Sequence, residues 1–190
     1  MAEMRNLLLN PWPTNANGWT TDGKDSAIEL RMTERGDAIF TNIKSIANVD
    51  ANNLYICLQL PHIPAGDYVF GANIADRSTF RSNRLHVFDR DGWKVIKSSS
   101  GSSGSIGYIT LPFTLTHDKG IQVRIQCGNT PGSTVFANEL LLMTQEDWDT
   151  MRNLKNSDGT PANIRWFAPP KDAATGVMST PALDRGEVLL

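Results

Sequence analysis

Cysteine is scarce, basic residues are not in excess, and no hydrophobic run is long. Two cysteines in 190 residues exclude the disulfide framework of small secreted domains. The 18 Lys and Arg are outnumbered by 20 Asp and Glu, for a formal net charge of −2. That leaves no cation surplus to neutralise nucleic-acid phosphates or an anionic bilayer. No apolar run approaches the roughly 18 residues of a membrane span. The opening MAEMRNLLLNPWP has only three consecutive leucines, short of the roughly 7–15 apolar residues of a secretory signal. The expectation is a soluble chain made in a cytoplasm, with no nucleic acid and no membrane among its partners.

Chemistry-bearing patterns are missing as well. His62, His86 and His117 stand far apart, and neither H-x-x-x-H nor C-x-x-C occurs, so no metal and no cofactor is expected. The Gly-rich stretches GSSGS (101–105) and GNTPG (128–132) lack the lysine and following helix of a phosphate loop. GSSGS is also no nucleophile elbow, since no strand leads straight into it and no helix follows. The acids gather at turns (Asp89, Asp91, Asp118) and in one short helical segment (Glu146, Asp147, Asp149), where turn formation and helix capping account for them. No catalytic residue emerges, and the chain is expected not to be an enzyme.

What the chain does have is period-2 alternation, from residue 27 to residue 143. Strands are expected at 27–32, 37–43, 54–60, 66–75, 84–90, 93–97, 105–116, 120–127 and 133–144. Turn residues separate them, including the Asp-Gly of DRDGW, a hairpin signal. Pro112 inside one run marks an edge or a break. No 10–15-residue helical pattern intervenes, so a βαβ arrangement is excluded and an antiparallel sandwich expected. SSSGSSGS (98–105) reads as a mobile hairpin loop rather than a domain boundary.

In LYICLQL, Leu54, Ile56, Leu58 and Leu60 share one face; in GIQVRIQC, Ile121, Val123, Ile125 and Cys127 do. Cys57 therefore points away from the core and Cys127 into it, which makes both free thiols. The opposite parity leaves Tyr55, Gln59, Arg84, His86, Gln122 and Arg124 on the other sheet face.

After Met143 the character changes. In TQEDWDTMRNLKN, Thr144 is a candidate N-cap, acids fill the first turn, and Trp148, Met151 and Leu154 form one stripe. This gives three units: a sandwich at 1–144, a short helix at 145–155 and an extended C-terminal arm at 156–190. Trp19 and Trp93, at strand ends, are expected to cap the core. Trp12, Trp148, Trp166 and Phe167 lie on the opening loop, helix and arm, and read as anchors for a partner. The competing reading folds the arm back onto its own sandwich.

NLLLNPWPTNANGW (6–19) resembles the opening of carbohydrate-binding-module-like jelly rolls, and GDYVFGANI (66–74) resembles their middle strand. GIQVRIQCGNTPGSTVFANELLLMTQEDW (120–148) is similar to their closing hairpin. Minor tail proteins of phages, especially those of actinobacteria, reuse this module. The resemblance implies an all-β antiparallel jelly-roll β-sandwich with one short helix and an extended C-terminal arm. It implies a virion protein with other virion proteins as partners, a homo-oligomer in the particle, located in the virion. It also implies host cell-wall carbohydrate held on the polar face by Tyr55, Gln59, Arg84, His86, Gln122 and Arg124, through stacking and hydrogen bonds. A capsid decoration protein, or a glycan-binding module without structural role, are the alternatives. Secreted relatives hold a structural calcium ion through acids after the first strand and in the last. Here NPWPTN has none, and FANELLL offers only Asn138 and Glu139, so no calcium site is expected.

Overall fold

Twelve strands and one helix form among the described residues, and strand follows the alternating pattern closely. The computed structural model describes residues 3–8, 11–13, 15–21, 27–43, 54–76, 85–99, 106–128, 130–165 and 176–179. The strands are β1 (Glu3–Asn6), β2 (Trp19–Thr21), β3 (Ile28–Met32), β4 (Ala38–Asn42), β5 (Tyr55–Ile63), β6 (Gly66–Asp76), β7 (Leu85–Asp89), β8 (Lys94–Ser98), β9 (Ile106–Leu115), β10 (Lys119–Gln126) and β11 (Thr134–Thr144). Helix α1 (Gln145–Arg152) and β12 (Gly176–Ser179) follow.

Ten strands make two five-stranded antiparallel sheets. Sheet I runs β2-β5-β10-β7-β8 and sheet II runs β3-β4-β11-β6-β9. Neighbours in each sheet are mostly distant in sequence, the crossover pattern of a jelly-roll sandwich. The expected inward residues of sheet I, Ile56, Leu58, Ile121, Val123 and Ile125, meet Phe40, Phe70 and Leu142 of sheet II between the sheets. Each such side chain contributes about 1.5–3 kcal/mol by leaving water. Cys127 lies in this core and Cys57 on the opposite face, and neither is in a disulfide. Pro112 sits in β9, at the edge of sheet II, where a missing N–H leaves no ladder bond unmade.

The opening stretch departs from expectation. Strand β1 ends at Asn6, where the stretch that resembles the opening of such jelly rolls only begins, and it pairs with β12 rather than with either large sheet. The reason lies in Asn6, whose side chain is fully buried. Its amide donates to Leu140 O (2.9 Å), and its Oδ1 accepts from Leu142 N (3.1 Å) and Leu8 N (3.2 Å). There β11 carries a bulge, with a register shift between Asn138 and Leu141 and Glu139 at φ +52°. One side-chain amide thus replaces the strand partner that the bulge leaves out.

Thr144 does cap α1, accepting from Asp147 N (3.1 Å). The helix stops at Arg152, three residues short of 155, because Asn153 (φ −92°, ψ 0°) takes the C-cap and bonds back to the last-turn carbonyls. The expected stripe still works: Met151 packs fully buried with Met4, Leu141, Met143 and Ile164, and Trp148 and Leu154 lie against them. This second apolar layer covers the outer face of sheet II. There Tyr108 crosses Gly71 and stacks on Trp148, with centroids 6.4 Å apart and planes at 6°. Burial pushes the Tyr108 phenol pKa up.

Where the arm is described, it rests on its own chain: Lys155 bridges Pro161, Ile164 joins the second apolar layer, and β12 pairs with β1. Trp166, Phe167 and the terminal GEVLL fall outside the described residues, as does Arg84. The two tryptophans expected to cap the core differ. Trp19 is buried in it, but Trp93 is 68% exposed. Trp93 sits at φ +50° in the β7–β8 hairpin, and that backbone turns its ring away from the sandwich.

Candidate functional site

Register places the expected polar residues together on the outer face of sheet I. Gln122 of β10 stands opposite Gln59 of β5 and Phe88 of β7, and Phe88 stands opposite Val95 of β8. Two residues along, Arg124 stands between Cys57 and His86, and Thr20 of β2 pairs with Cys57. Gln126 stands opposite Tyr55. Partners in register share a face, so Tyr55, Gln59, His86, Gln122 and Arg124 form one surface. Arg84 was expected with them and lies outside the described residues.

The centre of this surface is not a bare, solvated face. Tyr55, His86, Gln122, Arg124 and Gln126 are all buried. The Arg124 guanidinium lies 4.0 Å from the Tyr55 ring centroid and 3.5 Å from that of Phe88, held between two aromatic faces. Such cation–π contacts are worth about 0.5–2 kcal/mol each, more as water is removed. Arg124 Nε donates to Gln122 Oε1. Gln122 Nε2 in turn donates to Cys57 Sγ (3.1 Å), which also lies 3.0 Å from Thr20 Oγ1. Gln126 Oε1 meets His86 Nε2 at 2.8 Å. Each amide is fixed by a neighbour, so the layer is preorganised.

Openness returns at the margins. Gln59 is exposed, Phe88 half-buried, and Val95 50% exposed. The row of Gln59, Gln122, Phe88 and Val95 therefore crosses four strands with both ends in solvent. At about 4.8 Å per strand it spans about 14 Å. The β7–β8 hairpin beyond it is held by Asp89. Its Oδ1 accepts from Asp91 N (2.9 Å) and Gly92 N (3.2 Å), and its Oδ2 from Lys119 Nζ (2.7 Å). The Lys119 ammonium and these two N–H groups hold the Asp89 carboxyl at about 2, below its usual 3.8.

Parity analysis found Tyr55, Gln59, His86, Gln122 and Arg124, but missed Phe88 and Gln126, which the same count places two residues from His86 and Arg124. Of the expected partner anchors, Trp12 is half-buried and lies across Gly36, in the β3–β4 turn. A Cβ on Gly36 would come within 2.2 Å of that ring, and its φ of +81° also demands glycine. Trp148 is half-buried between Tyr108 and the Arg152 guanidinium, 5.7 Å from its centroid. Both indoles pack on their own chain.

Other chemistry finds little purchase. Among the described residues no group of three or more His, Cys, Asp or Glu is placed to hold a metal ion. Asn138, one of two residues weighed for calcium, accepts from Asn73 (2.9 Å) and donates to Asp37 (2.7 Å). An open cleft of about 410 Å³ lies between the edge strands β8 and β9, lined by Ile96, Lys97, Phe113, Thr114, Asp67 and Gln145 among others. Its one carboxylate among the described lining residues, Asp67, accepts from Thr114 Oγ1 (2.6 Å). Hydrolysis of a glycosidic bond needs two facing carboxylates, and the described lining residues do not supply them.

No protein-family model and no curated protein sequence matches the chain. Solved structures do. A carbohydrate-binding module of the CBM4 type is 12% identical over 70% of this chain and 90% of its own, with a TM-score of 0.55. The second N-terminal cellulose-binding domain of Cellulomonas fimi β-1,4-glucanase C is 13% identical over 74% of this chain and 91% of its own, at 0.49. The CBM22-1–GH10 modules of a Clostridium thermocellum xylanase, solved with xylohexaose, are 12% identical over 75% of this chain and 28% of theirs, at 0.47. The first of these likenesses establishes a shared jelly-roll sandwich.

Proposed function

We propose that the chain is a non-catalytic glycan-binding sandwich whose ligand lies along the row of Gln59, Gln122, Phe88 and Val95. The observation that carries this reading is that the row is solvent-open at both ends and backed by a fixed layer of rings and amides. A sugar presents hydroxyls, which need directional partners, and ring faces of C–H bonds, which favour aromatic surfaces. Preorganised amides beside aromatic rings supply both. The sandwich shared with the CBM4-type module supports the reading as to fold. The test is an array of plant, fungal and bacterial glycans probed with wild type and with Gln59→Ala. Binding by wild type that Gln59→Ala weakens, at unchanged melting temperature, is the expected result. No binding across the array overturns the reading.

The sequence resemblance adds a setting: a virion, with the sandwich displayed on tail or capsid and serving adsorption to a host surface. In this part of the proposal the arm would dock on neighbouring subunits. The pairing of β12 with β1 and the burial of Ile164 favour closure on its own chain. Deleting residues 156–190 separates the two. A drop of several degrees in melting temperature supports closure, and an unaltered sandwich supports docking elsewhere.

A further inference from the structure

We infer that Trp93 is the stacking platform of this glycan site, receiving the apolar face of one pyranose ring of an oligosaccharide that runs on across the polar row towards Gln59. The inference rests on the glycan reading and extends it to a residue expected, from its place at a strand end, to cap the core. Among the described residues three large hydrophobic side chains are exposed, and two of them, Trp93 (68%) and Val95 (50%), belong to the β7–β8 hairpin. Phe88 pairs with Val95 and Asp89 with Lys94, so the hairpin tip lies along the strand direction, one pair beyond the β8 end of the polar row. Trp93 is thus an aromatic surface beside the β8 end of the row of Gln59, Gln122, Phe88 and Val95, two residues along the chain from Val95.

Its backbone is the second observation. A φ of +50° is unfavourable for a bulky side chain, and Gly, Asn or Asp would suit the turn better. The conformation persists because Asp89 fixes it from three sides: two turn N–H groups and the Lys119 ammonium. Strain that surrounding structure holds in place is a mark of a functional position. The strained turn presents the indole to solvent, where burial returns nothing for it.

The size of the feature selects the ligand. One indole and one valine fall far short of the roughly 800 Å² per partner that a stable protein interface needs. One exposed indole does match one sugar ring, whose axial C–H bonds lie flat on the π face. Arg90, Asp91 and Lys94 ring the turn with polar groups for exocyclic hydroxyls. A neutral pyranose oligosaccharide fits this combination of a flat apolar plate and a polar rim.

The test uses the full chain titrated with cellohexaose, xylohexaose and chitohexaose, read by calorimetry and by tryptophan emission. Wild type is expected to bind at least one of them with a blue shift, as an exposed indole is covered. Trp93→Ala is expected to weaken that binding about tenfold or more at unchanged melting temperature, while Trp93→Phe stays within about threefold. If wild type binds but Trp93→Ala binds equally well, the Trp93 assignment falls and the glycan reading stands. If wild type binds none of the three, the assignment of a neutral pyranose oligosaccharide to Trp93 falls, and the glycan array alone decides the glycan reading.

Discussion

Sheet II turns Leu141 and Met143 outward against Met4, Met151 and Ile164, whereas sheet I turns Gln122, Arg124 and Gln126 outward against Tyr55, Phe88 and His86. Both outer layers are buried, yet the forces differ in kind. The apolar layer is held by transfer from water, which is non-directional and tolerates repacking. The polar layer is held by directional bonds and ring contacts, where each group fixes the orientation of the next. A helix can be laid over the first kind of face with little precision. The second kind holds amides at set positions, which recognition of a polar ligand requires. On the proposed reading, the difference gives stability to one side of the sandwich and selectivity to the other.

The largest expected effect tests the apolar side. Met151 is fully buried beneath α1, and Met151→Ala is expected to lower stability by about 3 kcal/mol through lost transfer energy and a cavity. Urea denaturation measures it. A loss below about 1 kcal/mol would mean that α1 is ornamental to the sandwich and would collapse the contrast. Glycan binding is expected to be unchanged in this variant, since the layer lies on the far sheet.

Arg124→Ala tests the polar side and is expected to cost about 2 kcal/mol, by removing two ring contacts and leaving Gln122 Oε1 without its donor. Arg124→Lys keeps the charge but not the planar guanidinium, and is expected to recover less than half of that loss. Full recovery by lysine would show that charge rather than stacking holds the layer. Unlike Met151→Ala, both variants are expected to weaken glycan binding.

The two layers also differ in how far the sequence disclosed them. The stripe of Trp148, Met151 and Leu154 is periodic and apolar, so its burial against a sheet follows from spacing alone. Parity equally placed Tyr55, Gln59, His86, Gln122 and Arg124 on one face. It could not say that Arg124 would settle between Tyr55 and Phe88, because cross-strand neighbours depend on register, which bulges at Ile121 and Asn138 reset. Trp93 was hidden for a related reason. Alternation assumes extended backbone, and a residue at φ +50° leaves that count. Asn6 was hidden because its role depends on a bulge whose Leu140 carbonyl lies 134 residues away in sequence.

A smaller effect belongs to the margin of the polar face. Asp89 has its pKa depressed to about 2 in the folded chain, against 3.8 for the free group. The unfolded chain therefore takes up a proton first, so the Asp89 contribution is complete above about pH 4 and is lost as pH falls towards 2. Asp89→Asn lacks this contribution at every pH. The melting-temperature gap between wild type and Asp89→Asn is expected to be open at pH 5 and to close on approach to pH 2. A gap that stays constant through this range would mean that the carboxylate's charge plays no part and the turn bonds alone matter.

The smallest effect sets the hairpin against both layers. Were Trp93 a packing residue, Trp93→Gly would cost several kcal/mol, as truncation of a buried tryptophan does. With the ring 68% exposed and the backbone at φ +50°, two small terms remain. Glycine relieves the strained dihedral, worth about 1–2 kcal/mol, and gives back about 0.5–1 kcal/mol through the greater freedom of its unfolded chain. The net change in urea stability is expected to lie within about 1 kcal/mol of zero, while Trp93→Val, β-branched at the same dihedral, is expected to lose stability relative to Trp93→Gly. That ordering, glycine above valine, would show that this side chain is kept against the preference of its own backbone. A valine variant as stable as the glycine variant would show that the hairpin relaxes freely, and the strain would then mark nothing.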